Sequence, residues 1–249
     1  LGEEFALQLA PRVTKLVLVA RREARLDHLA DHIRANHPHC AVATMAADLA
    51  VKSNRDALVA ALARDGFLPD LLVNNAGLGD YGEVATASWE RIEEMLRVNI
   101  EALTHLTHAI VPHMIRRGHG AIMNVSSLAS ILPLPDATVY AATKAYVTSF
   151  SEGLRIELRE HGIPVLAVCP GPVHTEFGKV ARRSADSPGM PSPSWFRVPK
   201  EQVVAEAIAA LDRDRARVFP GLKTALAAAL IAALPMLVLR QILATRPRA

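Results

Sequence analysis

Two residues of this 249-residue chain have types and spacing suited to proton transfer. Tyr140 and Lys144 stand four apart in a stretch with helical patterning, which puts both side chains on one face. A lysine ammonium close to a phenol favours the phenolate and lowers a pKa that is ~10 in water. The tyrosine can then act as acid or base near neutral pH. Taken alone, the pair also fits two surface residues at helical spacing. Its company narrows the choice. Ser126 and Ser127 close an apolar run that reads as a strand, and Asn74, Asn75, Ala76 and Gly77 close another. Asn99 interrupts an apolar helical stretch, where a satisfied buried amide is the plain alternative. Pro170, Gly171 and Pro172 follow a third run, with Thr175 soon after. In parallel sheets ligands bind beyond the carboxyl ends of the strands, so these positions converge if the runs share one sheet.

The elements needed to hold them are legible as an alternation. Runs at 16–20, 41–47, 71–74, 121–125, 165–169 and, more weakly, 217–219 are short and mostly apolar on both faces, as a parallel sheet covered on both sides requires. Helical patterns lie between them at 23–35, 53–65, 88–116, 137–160 and 200–211. Strand and helix alternate, so the expected class is α/β with right-handed crossovers. No Gly/Ser linker or internal repeat divides the chain, and one domain over 1–249 is expected. Residues 178–199 hold Pro188, Pro191, Pro193 and Pro199, Gly189 and four serines. Such long loops often serve as lids or binding loops.

Composition removes several other classes. With 51% hydrophobic and 21% charged residues, the chain is not intrinsically disordered or collagen-like. A net charge of +3 and 4% aromatic residues, without a basic cluster, argue against a nucleic-acid surface. Cys40 and Cys169 lie far apart in apolar runs and read as buried free thiols of a reducing compartment. His28/His32 and His105/His108 have helical spacing but no carboxylate or thiol partner in sequence, so no metal site is expected.

NNAG at 74–77, RVNI around Asn99, NVSS ending at Ser127, YAATK at 140–144 and PGPVHT at 170–175 together resemble the short-chain dehydrogenase/reductase family, from Leu1 to about Phe219. The resemblance implies a doubly wound Rossmann-type parallel sheet flanked by helices. It implies that Tyr140 exchanges a proton with a carbonyl or alcohol oxygen, and that Lys144 lowers the Tyr140 pKa and binds the nicotinamide ribose. Ser127 would hydrogen-bond the substrate oxygen, and Asn99 would hold a water that extends a proton relay. Asn75, Ala76 and Gly77 would line the adenosine side. Pro170, Gly171, Val173 and Thr175 would bracket the nicotinamide. Asp48 resembles the family's adenine-contacting acid, with a loop-capping aspartate as the alternative, and Leu49 would pack beside the base.

The run 16–20 ends in Arg21 and Arg22 with no acid before the helix. At that place an acid binds the ribose 2′-hydroxyl of NAD, whereas an arginine accommodates the 2′-phosphate of NADP. Two cations at a helix N-terminus also oppose the helix dipole unless an anion compensates. NADP(H) is therefore expected in preference to NAD(H). The pattern is broken at its start. The chain opens at Leu1, and only Gly2 matches the family's TGxxxGxG turn. In the expected strand order 3-2-1-4-5-6-7 the first strand is central. Its loss would leave two unpaired edges and remove amides that cradle a pyrophosphate. About a dozen further residues are expected ahead of Leu1.

Residues 224–239 form an uncharged run of 16 between Lys223 and Arg240, with Pro235 inside it. A spanning helix wants ~20 apolar residues, so an apolar C-terminal helix over 222–245 is expected to pack on its own domain or on a second subunit. The other reading is a helix lying on a membrane surface, with Arg240, Arg246 and Arg248 at anionic headgroups. The family resemblance implies a homodimer or homotetramer paired through the helices of Asn99 and Tyr140. The function expected is an NADP(H)-dependent interconversion of a ketone or aldehyde with an alcohol, running as a reduction in a cytoplasmic or membrane-associated enzyme. The alternatives are a catalytically silent dinucleotide-binding scaffold, motivated by the missing turn, and a membrane-peripheral ketoreductase for lipid- or steroid-like substrates, motivated by the tail and by Trp195 and Phe196.

Overall fold

The structure is a computed structural model that describes residues 1–184, 189–190 and 193–245. Pro188, Pro191, Arg246 and Arg248 lie outside the described residues. The expected alternation is present. Six strands, β1 (Lys15–Ala20), β2 (Ala41–Ala46), β3 (Leu71–Asn74), β4 (Ala121–Val125), β5 (Val165–Val168) and β6 (Arg217–Val218), pair in parallel throughout. They form two sheets, β1–β2 and β3–β4–β5–β6. β1 and β3 share no ladder, and the expected order places another strand between them.

Helix α1 (Gly2–Leu9), with its cap residue Ala10, bridges the two sheets through adjacent faces. Phe5 and Leu9 pack with Met123, Val125, Leu166 and Val168 of the larger sheet. Ala6 and Ala10 pack with Leu18 of β1 and with Leu26 and Ala30 of α2 (Glu23–Asn36). On the other face of the small sheet, Val17, Val19 and Met45 meet Leu58 and Leu62 of α3 (Lys52–Arg64). Cys40 and Cys169 are buried and free.

The long helix expected at 88–116 is two α segments, α4 (Trp89–Leu96) and α5 (Leu103–Arg117), joined by a π turn at Arg97–Ala102 that contains Asn99. Ser88 caps α4 by accepting the Arg91 N–H at 3.3 Å. The helix of Tyr140 and Lys144 is α6 (Thr138–Glu157), followed by the short α7 (Phe177–Val180) and by α8 (Lys200–Asp212).

The single C-terminal helix expected over 222–245 is corrected. The segment forms α9 (Leu222–Ala233) and α10 (Met236–Ala244), bent by 113°. Pro235 has no N–H to continue the ladder, and the ring of a proline pushes the residue before it out of the helical region. Leu234 accordingly sits at φ −82, ψ 131. Among the described residues no single helix is long and apolar enough to cross a membrane.

Candidate active site

The carboxyl ends of the strands open into a cleft of about 1710 Å³. At one end it is lined by Ala20, Arg21 and Arg22, in the middle by Asn75, Ala76 and Gly77, and at the other end by Ser127, Tyr140 and Lys144. Pro170, Gly171, Val173 and Thr175 line it as well. Residues drawn from five separate segments of the sequence thus share one wall system.

The frame behind this wall is polar and buried. Asn74 and Asn124 are directly paired across β3 and β4. The Asn74 amide donates to Asn124 Oδ1 at 2.8 Å and to Thr107 Oγ1 at 3.0 Å. Asn124 Nδ2 donates to Ser151 Oγ on α6 at 2.9 Å. Ser126 donates to the Lys144 carbonyl at 2.8 Å and shares a hydrogen bond with Thr148 at 2.7 Å. Buried amides and hydroxyls that find such partners fix the relative placement of the elements carrying them.

Tyr140 is buried beneath Phe177, ring centroids 5.5 Å apart, with Tyr81 and Met95 in the same cluster. Burial pushes its phenol up to about 12, and a hydrogen bond with Ser127 offsets part of the rise. This reverses the lowering expected from Lys144. Desolvation penalises the tyrosinate, and the ammonium lies over the ring, 5.9 Å from its centroid, rather than on the hydroxyl. Lys144 is itself buried. Its Nζ donates to the Val125 carbonyl at 2.8 Å, and desolvation lowers its pKa to about 8.

Ser127 also caps a short 3₁₀ turn by accepting the Ala129 N–H at 3.1 Å. Asn99 does not line the cleft. Its amide is committed on all sides, accepting the Leu78 N–H at 2.8 Å and donating to the Leu78 carbonyl and to Thr143 Oγ1 at 2.9 Å each. Thr143 in turn donates to the Tyr140 carbonyl at 2.7 Å. The Asn99 side chain therefore ties Leu78, in the segment after β3, to Thr143 of α6.

Four further expected positions divide. Gly2 packs under Asn75, and a Cβ there would lie 2.7 Å from Asn75 Nδ2. Gly77 has Lys144 Nζ 3.3 Å and Asn99 Oδ1 3.5 Å from where its Cβ would be, so a side chain would crowd both. Asp48 caps its own loop by accepting the Ala50 N–H at 2.9 Å, and Leu49 packs against the cluster of Leu58 and Leu62. Neither lines the cleft.

Sequence reading passed over two ion-pair systems. Arg22 and Arg25 both reach Glu176 Oε2, at 3.2 and 2.7 Å, and hold that carboxyl below the usual range; Arg21 pairs with Glu94 at 2.7 Å. Buried Asp80 is gripped by Arg183 at 2.6 Å and by Arg91 at 2.8 Å, while Arg91 also donates to the Val180 carbonyl at 2.6 Å. These ties fasten the segment after β3 to the loop after α7. An acid directly following Thr175 was the one local hint of the first.

The residues fit a nicotinamide dinucleotide. A long cleft carries arginines and no acid at the end of β1, a glycine-lined middle, and a buried lysine with a phenol at the far end. Fold and site together define the class, a Rossmann-type α/β protein with a Ser–Tyr–Lys constellation in its cleft. The chain belongs to the short-chain dehydrogenase family: the family profile described as short chain dehydrogenase matches residues 1–186. It is 33% identical over 200 residues to the very-long-chain 3-oxoacyl-CoA reductase of Homo sapiens, covering 79% of this chain and 62% of that one. It thus spans about three fifths of the length of the relatives of that name. Among solved structures, a short-chain dehydrogenase from Sphingobium yanoikuyae in complex with NADPH is 33% identical at a TM-score of 0.82, covering 100% of this chain and 92% of that one. A bulky-bulky ketone specific alcohol dehydrogenase from Comamonas testosteroni is 27% identical at a TM-score of 0.78, covering 100% and 91%.

Proposed function

We propose that the chain carries an NADPH-dependent reductase site for a bulky, largely apolar ketone. The observation that carries this reading is the Tyr140 phenol, hydrogen-bonded to Ser127 and held with Lys144 at one end of a cleft whose other end is Arg21 and Arg22. A phenol pushed up to about 12 stays protonated across neutral pH, which suits a donor to a carbonyl oxygen. The dinucleotide, when bound, supplies the hydride. Ser127 orients the substrate oxygen, Tyr140 protonates it, and Lys144 stabilises the charge left on the tyrosine. Arg21 and Arg22 would hold the 2′-phosphate, and Lys144 the nicotinamide ribose.

The width of the cleft and its Leu132, Leu134, Met190, Phe196 and Ile231 wall support a bulky apolar substrate. The names of the human and Comamonas relatives point to the same class. Self-association through α5 and α6 belongs to the reading, and α6 presents Ile156 to solvent. The test is NADPH oxidation, followed at the nicotinamide absorbance, with long-chain 3-oxoacyl thioesters, bulky aryl ketones and acetone. Turnover with the bulky substrates only is expected, and none with any ketone would overturn the proposal.

Arg21→Ala with Arg22→Ala should lower kcat/KM for NADPH by about 10- to 100-fold, as the loss of one or two charge-assisted hydrogen bonds implies, with little effect on NADH. Equal losses for both coenzymes would remove the 2′-phosphate assignment. Glu176 competes for one of these cations, Arg22. Glu176→Gln should tighten NADPH binding several-fold, on the scale of an exposed ion pair, in a fluorescence titration. Weaker binding would mean that Glu176 positions the arginines instead.

A further inference from the structure

The α9–α10 hairpin is inverted relative to an ordinary surface helix pair. On α9 small residues face the protein and large apolar ones face away. Thr224 and Ala228, at 0 and 3% exposure, seat α9, and Thr224 packs against Gly171. Leu222, Leu226 and Leu230 repeat every fourth residue on the outer side and are 76, 62 and 64% exposed. On α10 Leu239 is buried, while Met236, Leu237 and Ile242 are exposed. Beside them Trp195 is exposed, with Lys223 Nζ 5.6 Å over its ring and donating to its carbonyl at 2.9 Å. A cluster of exposed large apolar residues on two successive helices marks an interaction surface.

Charge selects among occupants. Lys223 and Arg240 are the charged residues of the two helices, and no Asp or Glu occurs anywhere from 215 to 249. Glu206 is committed to the Gly221 N–H at the start of α9. A two-fold contact with a second copy would set this acid-free basic patch against itself, which costs free energy. An anionic bilayer complements it. Leucines enter the acyl boundary, tryptophan suits the headgroup level and the two cations meet lipid phosphates.

We infer that the outer face of the α9–α10 hairpin, with Trp195, is a peripheral docking surface for an anionic lipid bilayer. This needs neither coenzyme nor substrate, although Trp195 and Arg240 also line the cleft of the reductase reading. The test is co-sedimentation of the full chain with phosphatidylglycerol-containing vesicles and with pure phosphatidylcholine vesicles, with no coenzyme added. Wild type should pellet with the anionic vesicles. Lys223→Gln should weaken that binding about fivefold, equivalent to ~1 kcal/mol for one cation near the surface. Leu226→Glu with Leu230→Glu, both outside the cleft, should abolish it while leaving the thermal midpoint and the oligomeric size unchanged. Wild type that stays in the supernatant overturns the inference, as does a double variant that binds equally. A double variant that breaks a wild-type oligomer overturns it too, because the face then belongs to a second copy.

Discussion

Tyr140→Phe is expected to lower turnover by about 10²–10⁴-fold, the usual contribution of a positioned proton donor, and to leave dinucleotide binding nearly intact. The ring packs under Phe177 and beside Tyr81 and Met95, and phenylalanine keeps every one of those contacts. The change deletes one hydroxyl and its bond to Ser127, worth ~1 kcal/mol of stability at most. The informative pair of measurements is steady-state turnover alongside an NADPH fluorescence titration. Turnover at the wild-type rate would exclude Tyr140 as the acid. Loss of both turnover and binding would show a role in shaping the cleft.

Lys144→Met should separate activity from stability, with opposite signs. The wild-type lysine is buried, and its pKa falls from 10.5 to about 8. Below pH 8 it is charged in both the folded and the unfolded chain, and the folded state bears the full desolvation cost, on the order of 3 kcal/mol. Between pH 8 and 10.5 the folded chain releases the proton while the unfolded chain keeps it, so stability rises with pH. Above 10.5 the cost is gone. Methionine removes it at every pH. The variant should therefore be more stable at pH 7, and its advantage should shrink by pH 10; denaturation of both proteins at the two pH values reads this directly. Its turnover should collapse, since the Ser127 hydrogen bond alone is then left to stabilise a tyrosinate. In the wild type the same titration predicts reductive kcat/KM that is level below pH 8 and declines above it. A variant less stable at pH 7 would mean that the Nζ bond to the Val125 carbonyl outweighs the burial of the charge.

The sequence reveals much of this architecture because its signals are local. Each strand is an apolar run bounded by a helical pattern, and β3 and β4 begin and end where the runs do. The polar residues at the strand ends fall together because parallel strands aim their carboxyl ends the same way. Local signals fail where distance or environment decides. Glu176 lies 154 residues from Arg22, and Arg183 lies 103 from Asp80, so neither pairing has a sequence period. The rise of the Tyr140 pKa comes from burial by Phe177 and its neighbours, which a four-residue spacing to Lys144 does not encode. Asp48 and Leu49 were expected in the cleft from the family pattern alone, and the structure gives them a loop cap and a packing contact. Pro235 was visible in the apolar run, but a count of uncharged residues does not register the break that it makes.

The chain of amides and hydroxyls from Thr107 through Asn74 and Asn124 to Ser151 divides the cleft into a constant part and a variable one. A slip of β3 against β4 by one residue would break the buried Asn74–Asn124 bond that joins the two strands, so the register that sets Gly77 against Ser127 is held by a polar bond as well as by packing. Among the described residues no such chain runs through Leu132, Leu134, Met190 and Ile231, which also line the cleft. Apolar contacts accept exchanges of similar volume at small cost. Mutational libraries confined to those four positions should therefore yield many folded proteins with altered ketone preference. Libraries at Asn74 and Asn124 should yield few folded ones. On the proposed reading, reacting geometry and substrate preference would then lie on separately mutable surfaces, a useful property for redesigning specificity.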